Sequence, residues 1–274
     1  MTTRIHVRAP ATSANLGAGF DAAGVAFDLW NELEVSAANG SPPDTEHLGV
    51  RAFARFAPPE RYAFRFVDRI PRERGLGSSA AVVALGLVAG ALAAGLRLGA
   101  DELLAAGLPL EGHADNLAAA LVGGVTLTWE GRIARIADEV PAAAVAVVPP
   151  QRVGTAAARA ALPELVPLAD AAFSAARAAL LGAALAAGDP ELFAASAADR
   201  LHEPYRARHA PHLAAIRADP PPGALGATLS GSGPTAIVWA EKERAGEVAA
   251  ALAGRFPDHD VLRLPVATRG AAPL

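Results

Sequence analysis

The amino-acid sequence predicts a protein of mixed helices and strands built in two parts. Stretches with an apolar residue at every second position alternate with longer, alanine-rich apolar stretches. Hydrophobic residues make up 52% of the 274 residues and charged residues 19%, which is enough for a core and argues against general disorder. The pattern starts again near Pro141, so we divide the chain into residues 1–140 and 141–274.

The first part is predicted to begin with a short strand and a loop. Residues 4–9 indicate the strand and residues 10–24 the loop, and residues 25–35 then alternate as in a half-buried strand. The remaining elements expected in this part are a helix at 47–57, a strand at 62–70, a helix from about 78 to 98, two helical pieces within 100–124 and a strand at 124–131.

The second part is predicted to begin with a buried strand at residues 144–150. Residues 154–218 indicate mostly helix, interrupted at Pro163, at 188–190 and at Pro211. The expected elements after that are two strands around a glycine-rich bend at 223–240, a helix at 241–256 and a last strand at 260–266.

Charge and residue usage exclude several classes of function. The net charge of −4 offers no basic surface for nucleic acid, and the lack of cysteine excludes disulfides and thiolate metal sites. No apolar signal-peptide core occurs in the first ten residues, so we expect a cytoplasmic protein. Lysine occurs once, at Lys242, which leaves a single candidate for any chemistry that needs a lysine.

The stretch ERGLGSSAAVV at residues 73–83 has three interpretations. No charged residue lies between Arg74 and Arg97, which is long enough to cross a bilayer of about 30 Å. Alanine and glycine dominate the segment, however, so a central buried helix is favoured and no membrane span is expected. A phosphate cradle before that helix and a simple glycine-serine turn stay open, because no lysine follows the glycines as in a Walker A loop.

A second glycine-rich stretch, GAGFDA at residues 17–22, has the residues of the dinucleotide-binding pattern G-x-G-x-x-A but not its flanking secondary structure. That pattern needs a strand directly before it and a helix after it, and here a loop is predicted before it and a strand after it. We interpret it as a polar loop in which Ser13, Asn15 and Asp21 can hold a small substrate.

Three motifs together resemble those of the GHMP kinase superfamily. They are APATSANLGAGFDAAGVAFDL at 9–29, PRERGLGSSAA at 71–81 and LSGSGPTAI at 229–237, in the order and spacing of that superfamily. Because ATSANLG stands where mevalonate- and galactose-type members carry a lysine, the chain looks like the homoserine kinase family. The segments EGHADN, TAAARAALP and EPYR also resemble that family, and the similarity covers nearly the whole chain.

The resemblance implies a fold and a reaction. The fold is the α+β, two-domain GHMP kinase fold, with an N-terminal domain like ribosomal S5 domain 2 and a ferredoxin-like C-terminal domain. The implied cofactors are ATP and Mg²⁺, and the implied reaction passes the γ-phosphoryl group to the side-chain hydroxyl of L-homoserine. No strong general base is implied, and a homodimer is left open.

Site residues are carried over from the family position by position. Ser78 and Glu111 are the implied Mg²⁺ ligands, with Asn116 orienting the reacting groups. The implied phosphate-binding residues are Pro71, Arg72, Glu73, Arg74, Gly75, Leu76, Gly77, Ser78, Ser79, Ala80 and Ala81. The implied substrate-binding residues are Asn15, Asp21, His113, Asn116, Arg159, Arg206, Gly231 and Gly233.

Each assignment has a structural alternative. Glu111 could be a helix N-terminal charge, His113 a structural histidine, and Arg159 and Arg206 surface charges. The trio His202, His209 and His212 is interpreted as a polar surface, because a clear fourth metal ligand is missing.

Two positions depart from the family. Glu73 stands where family members commonly have a small residue, and a carboxylate near the ATP phosphates is unfavourable unless it points outward. The stretch that usually carries an Asn near the nucleotide is shortened here and has His47. The competing functions are a kinase for another small hydroxy acid or alcohol and a catalytically silent metabolite sensor.

Overall fold

The computed structural model describes residues 4–38 and 40–274, in which two β-sheets are each covered by helices. The strands are β1 (Ile5–Asn15), β2 (Gly19–Ala37), β3 (Tyr62–Val67), β4 (Val125–Trp129), β5 (Arg132–Ala137), β6 (Ala143–Val148), β7 (Ala224–Leu229), β8 (Ala236–Ala240), β9 (Asp260–Leu264) and β10 (Ala272–Pro273). The helices are α1 (Leu48–Phe53), α2 (Ser78–Ala93), α3 (Ala100–Glu111), α4 (Ala114–Val122), α5 (Thr155–Ala160), α6 (Leu168–Ala187), α7 (Pro190–Ser196), α8 (Glu203–Arg206), α9 (Pro211–Ala218) and α10 (Ala245–Arg255).

The first sheet is organised around the long strand β2. Its strand order is β10-β1-β2-β4-β5, and β3 pairs with the far end of β2. The 19 residues of β2 make this possible, because residues 23–25 pair with β4 while residues 32–37 pair with β3.

The helix α2 forms the centre of the first domain. It is buried on nearly all sides, as expected for its apolar sequence. A Cβ at Gly90 would lie 2.5 Å from the carbonyl oxygen of Phe53, so this glycine lets α2 pack directly on the backbone of α1.

The second sheet is antiparallel, with the order β7-β8-β6-β9. Helices α5–α9 lie between β6 and β7 in the chain, and α10 lies between β8 and β9. This βαββαβ arrangement is the expected ferredoxin-like topology. After β9 the chain returns to the first sheet, where β10 pairs antiparallel with β1. The predicted division near residue 140 falls between β5 and β6.

Most predicted elements are confirmed, two predictions about elements were wrong, and two strands were missed. Residues 10–24 are not one loop, because β1 and β2 extend through them and pair with each other on both sides of a short turn at 16–18. Strands β5 and β10 were missed, so the strand predicted at 260–266 is not the last one. Helix α2 ends at Ala93 instead of near Leu98, because Gly95 adopts a positive φ of 67° just beyond it.

One helix of the described chain meets the length and composition of a membrane span. This is α6, which has 20 residues and a mean hydropathy of 1.4. Of its most apolar 18-residue window, 22% is buried inside the protein. A single helix of this kind is weak support for a membrane location. The segment that the sequence analysis weighed as a span is α2, which is a buried core helix as predicted.

Candidate active site

Three segments from both domains, one of them the end of β1, meet at one end of α2. The amide of Thr12 in β1 donates to the Leu76 carbonyl at 3.1 Å, and the Ser230 hydroxyl donates to the Gly75 carbonyl at 2.6 Å. The Gly231 amide donates to the Ala14 carbonyl at 3.2 Å. The first, second and third sequence motifs are therefore joined directly to one another.

These segments enclose a cleft of about 120 Å³. That is smaller than the roughly 300–1,000 Å³ usual for drug-sized ligands, so it suits a small metabolite. Most of the predicted site residues line it. The lining residues are Ala14, Asn15, Asp21, Glu73, Gly75, Gly77, Ser78, Ser79, Glu111, His113, Asp115, Asn116, Val153, Thr155, Arg159, Arg206, Gly231 and Ser232.

One end of the cleft, here the phosphate end, consists of Gly75, Gly77, Ser79 and Glu111. Gly75 and Gly77 have φ values of 79° and 66°, which side chains rarely adopt. A Cβ at Gly75 would lie 2.9 Å from the Gly233 carbonyl oxygen, and one at Gly77 would overlap the Thr12 hydroxyl. Because α2 begins at Ser78, its first N–H groups and positive dipole end face the cleft.

The predicted phosphate-binding stretch divides into two groups. Residues 73, 75 and 77–79 line the cleft. Leu76, Ala80 and Ala81 are fully buried, with their side chains in the core, and Arg72 pairs with Asp68. Glu73 is exposed, has a φ of 57° and is one of the residues that line the cleft. The other predicted residues outside the cleft lining are Pro71, Arg74 and Gly233.

Glu111 is the last residue of α3, so its interpretation as a helix N-terminal charge was wrong. It accepts a hydrogen bond from the Ser79 hydroxyl at 2.7 Å, which places Ser79 rather than the predicted Ser78 beside this carboxylate. Burial raises the pKa of the Glu111 carboxyl to about 7. A carboxylate and a hydroxyl that face a cleft are oxygen donors of the kind Mg²⁺ prefers, and a cation there would offset the cost of burying the charge.

Asp115 is a buried carboxylate in the cleft that sequence reasoning missed. It follows the first residue of α4, and burial raises its pKa to about 6. Its Oδ1 accepts from the Asn116 amide at 2.6 Å, and Asn116 Oδ1 accepts from the Thr12 hydroxyl at 2.8 Å. Its position next to Asn116 in EGHADN was the available signal. The Thr12 hydroxyl and a longer contact of 3.4 Å from Asn116 Nδ2 to Asp115 Oδ1 hold the Asn116 side chain at the cleft wall.

The other end, here the substrate end, consists of Asp21, Arg159 and Arg206, with the buried His202 behind Arg206. Asp21 has a φ of 55°, and its amide donates to Asn15 Oδ1 at 3.0 Å. Its carboxylate holds Arg159 through two contacts of 2.7 and 2.8 Å. This hydrogen bonding raises the pKa of the Arg159 guanidinium. Asp21 and Arg159, predicted to hold opposite ends of a substrate, therefore pair with each other here.

Arg206 is 3% exposed, so its interpretation as a surface charge was wrong. Its guanidinium donates to the carbonyls of Ala158 and Gly231 at 3.3 and 3.1 Å and to His202 Nδ1 at 3.3 Å. All of these acceptors are neutral, and burial lowers the pKa of Arg206. Within the described residues no carboxylate lies within ion-pair distance of it.

His202 holds Arg206 in place. It is fully buried and donates through Nε2 to the Gly17 carbonyl at 2.9 Å, so its Nδ1 is free to accept from Arg206. Phe20 stacks on its ring with centroids 5.0 Å apart, and the guanidinium carbons of Arg159 and Arg206 lie 5.4 and 5.5 Å from the Phe20 centroid. Because His202 and His212 are buried, the interpretation of the histidine trio as a polar surface was wrong for these two.

Four other residues discussed from the sequence lie as follows. His113 is the N-cap of α4 and lines the cleft, whereas Ser13 is fully buried and its hydroxyl lies 2.8 Å from that of Ser230. Because Ser230 donates its one proton to the Gly75 carbonyl, Ser13 is the donor in this contact. His47 caps α1 by accepting from the Gly49 amide at 3.2 Å. Lys242 pairs with Glu139 at 2.7 Å and does not line the cleft. The cleft is therefore built without lysine.

Family models match both domains. The model of the GHMP kinases N-terminal domain matches residues 47–124, and the model of the GHMP kinases C-terminal domain matches residues 176–258.

Similar proteins and structures were also found. The chain is 39% identical to a homoserine kinase of Streptomyces avermitilis over 98% of this chain and 95% of that protein. It is 40% identical to a homoserine kinase of Thermus thermophilus over 90% of this chain and 88% of that protein. The crystal structure of homoserine kinase from Cytophaga hutchinsonii superposes with a TM-score of 0.89 and 27% identity, covering 100% of this chain and 98% of that one. A mevalonate kinase from Methanococcus jannaschii shares the fold at a TM-score of 0.70 and 14% identity, covering 97% and 99%.

Proposed function

The chain belongs to the GHMP kinase family, and from that membership we propose that it is an ATP-dependent homoserine kinase. It transfers the γ-phosphoryl group of ATP to the side-chain hydroxyl of L-homoserine, giving O-phospho-L-homoserine and ADP. The similarity to homoserine kinases over nearly the whole chain supports this substrate. The reaction belongs to threonine biosynthesis, and the expected location is the cytoplasm.

The observation that carries the proposal is the charge arrangement at the substrate end. Arg206 is a buried cation whose hydrogen-bond acceptors are all neutral, and it lies beside the Asp21–Arg159 pair. A zwitterionic amino acid needs a carboxylate for its ammonium group and a guanidinium for its carboxylate, and both are present. A simple alcohol would leave Arg206 without an anionic partner.

To bind the substrate, Asp21 and Arg159 must each give up part of their contact with one another and contact the substrate as well. Both side chains are partly exposed, at 36% and 43%, and exposed pairs contribute at most about 1 kcal/mol. The ammonium group of the substrate can therefore take one oxygen of Asp21 while its carboxylate takes Arg206 and Arg159, with little loss of stability. Asn15 keeps the Asp21 backbone in place during this exchange.

The phosphate end positions the nucleotide and offsets its charge. The backbone N–H groups at the start of α2 bind phosphate oxygens, and the absence of Cβ atoms at residues 75 and 77 leaves room for them. Ser79 and Glu111 would hold Mg²⁺, which would offset the charge on the transferred phosphoryl group. Asn116, fixed by Thr12 and Asp115, orients the substrate hydroxyl. No general base is needed, because phosphoryl transfer depends mainly on position and charge.

A coupled ADP-release assay over a substrate panel tests the proposal. The panel contains homoserine, threonine, serine, mevalonate and shikimate, each with and without Mg²⁺. We expect the highest kcat/KM for homoserine. A preference for mevalonate or shikimate would show a GHMP kinase for another hydroxy acid, and binding of ATP without ADP release from any substrate would show a silent sensor.

A further inference from the structure

The carboxylate of Asp115 lies in the wall of the catalytic cleft, and no step described above uses its charge. The residue is 3% exposed. Both hydrogen bonds that its side chain accepts, from the amide and the Nδ2 of Asn116, end on Oδ1. Within the described residues Oδ2 accepts no hydrogen bond, yet this atom is not sealed inside the protein. One oxygen of Asp115 is therefore open to a ligand in the cleft.

The charge of Asp115 has no direct partner. Burial raises the pKa of this carboxyl to about 6, and repulsion from Asp21 adds to the effect. His113 and Arg159 lower the pKa through space only, because the Arg159 guanidinium is bound to Asp21 by contacts of 2.7 and 2.8 Å. A buried carboxylate without a cation costs stability, so its position in a cleft indicates a positively charged ligand.

The charges around the substrate end leave one cation and one anion without a direct partner. Asp21 and Arg159 neutralise each other as a pair. The remaining cation is Arg206, whose acceptors are all neutral, and the remaining anion is Asp115. Burial lowers the pKa of Arg206, and the charges of Asp21 and Asp115 oppose this shift, so all of these groups act on one another. An α-amino acid carries the two complementary charges on one carbon atom.

We propose that Asp115 is the main charge partner of the substrate ammonium group and the residue that selects amino acids over hydroxy acids without an amine. An ammonium group has three N–H donors, so Oδ2 of Asp115 can accept one while Asp21 accepts another. Arg206 and Arg159 bind the carboxylate at the same time. This assignment rests on the proposed function and refines its substrate end.

Asp21 and Asp115 differ in what each offers to an ammonium group. The Asp21 side chain is 36% exposed, and both of its oxygens already contact Arg159. Its charge is therefore screened by water and offset by a neighbour. The Asp115 charge is buried and has neither of these compensations, so it attracts a cation more strongly. Asp21 then contributes mainly orientation, and Asp115 contributes most of the attraction.

Calorimetric binding at pH 7.5 with three ligands tests the assignment. They are L-homoserine, 4-hydroxybutyrate, which lacks the amine, and 3-aminopropanol, which lacks the carboxylate. For Asp115→Asn we expect Kd to rise roughly 10- to 100-fold for the two amines, because a hydrogen bond between charged groups is lost. The Kd of 4-hydroxybutyrate should not rise. Arg206→Lys should show the reverse pattern and weaken the two carboxylates.

The variant Asp115→Asn preserves the structural contacts of this residue. Its Oδ1 can still accept from the Asn116 amide, and removal of a buried charge should keep the Tm at pH 7.5 equal to or above that of the wild type. If the Tm falls, Asp115→Ser repeats the measurement with a smaller uncharged side chain. The matched control is Asp258→Asn, an exposed carboxylate in the second domain, which should leave all three affinities unchanged.

Three results would overturn the assignment. Equal weakening of L-homoserine and 4-hydroxybutyrate by Asp115→Asn would show that Asp115 acts only by positioning Asn116. An unchanged preference for L-homoserine over 4-hydroxybutyrate would show that Asp21 suffices. Weaker binding of Mg²⁺ with ATP, at an unchanged Kd for L-homoserine, would assign Asp115 to the metal. Failure of the proposed function differs from all three, because L-homoserine would then bind with an Asp115-dependent preference but cause no release of ADP from ATP.

Discussion

The two ends of the catalytic cleft are built in different ways. The phosphate end relies on backbone, with Gly75 and Gly77 at positive φ and the start of α2 facing the cleft. The substrate end relies on charged side chains, with Asp21 paired to Arg159 and Arg206 held by His202. Backbone N–H groups can follow any phosphate chain, whereas guanidinium and carboxylate groups are specific for a zwitterion. Under the proposed function, one end therefore binds the cosubstrate and the other sets the substrate specificity.

The two ends of the cleft also differ in the sign of the charge that has no direct ionic partner. The phosphate end has an unpaired acid, Glu111, whose pKa is raised by burial, and so it lacks a cation. The substrate end has a buried cation, Arg206, whose hydrogen-bond acceptors are all neutral, so this guanidinium has no direct anionic partner although Asp21 lies nearby. The predictions below test this contrast, beginning with the largest expected effect.

Substitution of Glu111 should have the largest effect on turnover. Glu111→Gln keeps the shape and removes the charge that would hold Mg²⁺, so we expect kcat to fall by about 100-fold or more. The control is Glu164→Gln, which changes an exposed carboxylate. Turnover by Glu111→Gln at the wild-type rate in ordinary Mg²⁺ would contradict the assignment.

The same variant should be more stable than the wild type at high pH. The folded protein keeps the Glu111 proton up to about pH 7, while the unfolded chain releases it near pH 4.5. The free energy of unfolding of the wild type therefore falls as the pH rises through this range. We expect the Tm of Glu111→Gln to exceed that of the wild type at pH 8 and to match it at pH 4. Added Mg²⁺ should raise only the wild-type Tm.

A methyl group at Gly77 should disrupt the phosphate end. Gly77→Ala places a Cβ against the Thr12 hydroxyl, so we expect both a lower Tm and loss of ATP binding by calorimetry. Gly95→Ala is a matched control, because Gly95 has nearly the same φ of 67° but no atom within 4 Å. Its cost should be only the backbone strain, about 1 kcal/mol. Adding Thr12→Ala to Gly77→Ala should recover part of the Tm. Equal behaviour of the two alanine variants would refute the close contact.

The substrate end should respond to Arg206→Lys with a selective loss. Lysine provides a point charge without the planar fork, so KM for homoserine should rise by roughly 30-fold, about 2 kcal/mol, while KM for ATP stays nearly unchanged. With 3-aminopropanol, which lacks the carboxylate, kcat/KM of the variant should be only slightly below that of the wild type. Arg200→Lys, at an exposed pair with Asp170, is the control. Equal damage to both KM values would assign Arg206 to the nucleotide.

The smallest effect is expected at the single lysine. Lys242→Met removes a pair with Glu139 that is exposed on both sides, so kcat and both KM values should not change. The free energy of unfolding should change by less than about 1 kcal/mol. A large loss of activity would show that the phosphate end does depend on a lysine.

Much of this structure could be predicted from the sequence, and the limits have physical causes. The period-two pattern located β2, and the apolar run located α2. The loop predicted at 10–24 was wrong because polar, glycine-rich residues there pair across β1 and β2, which local sequence does not reveal. The motifs located Asp21, Glu111 and Arg206. They did not indicate that Ser79 contacts Glu111 or that His202 holds Arg206, because these contacts depend on helix rotation and on packing between distant segments.

The pairing of β10 with β1 affects how the protein is made. Val7 lies opposite Pro273, and the Leu274 amide donates to the His6 carbonyl at 2.9 Å. The partner of the β1 edge is therefore synthesised long after β1 itself. At about 5–20 residues per second, this edge waits roughly 15–50 s for its neighbour during translation. In that time it is an open strand that can pair with other nascent chains, so chaperone binding to the unfinished polypeptide should be concentrated there.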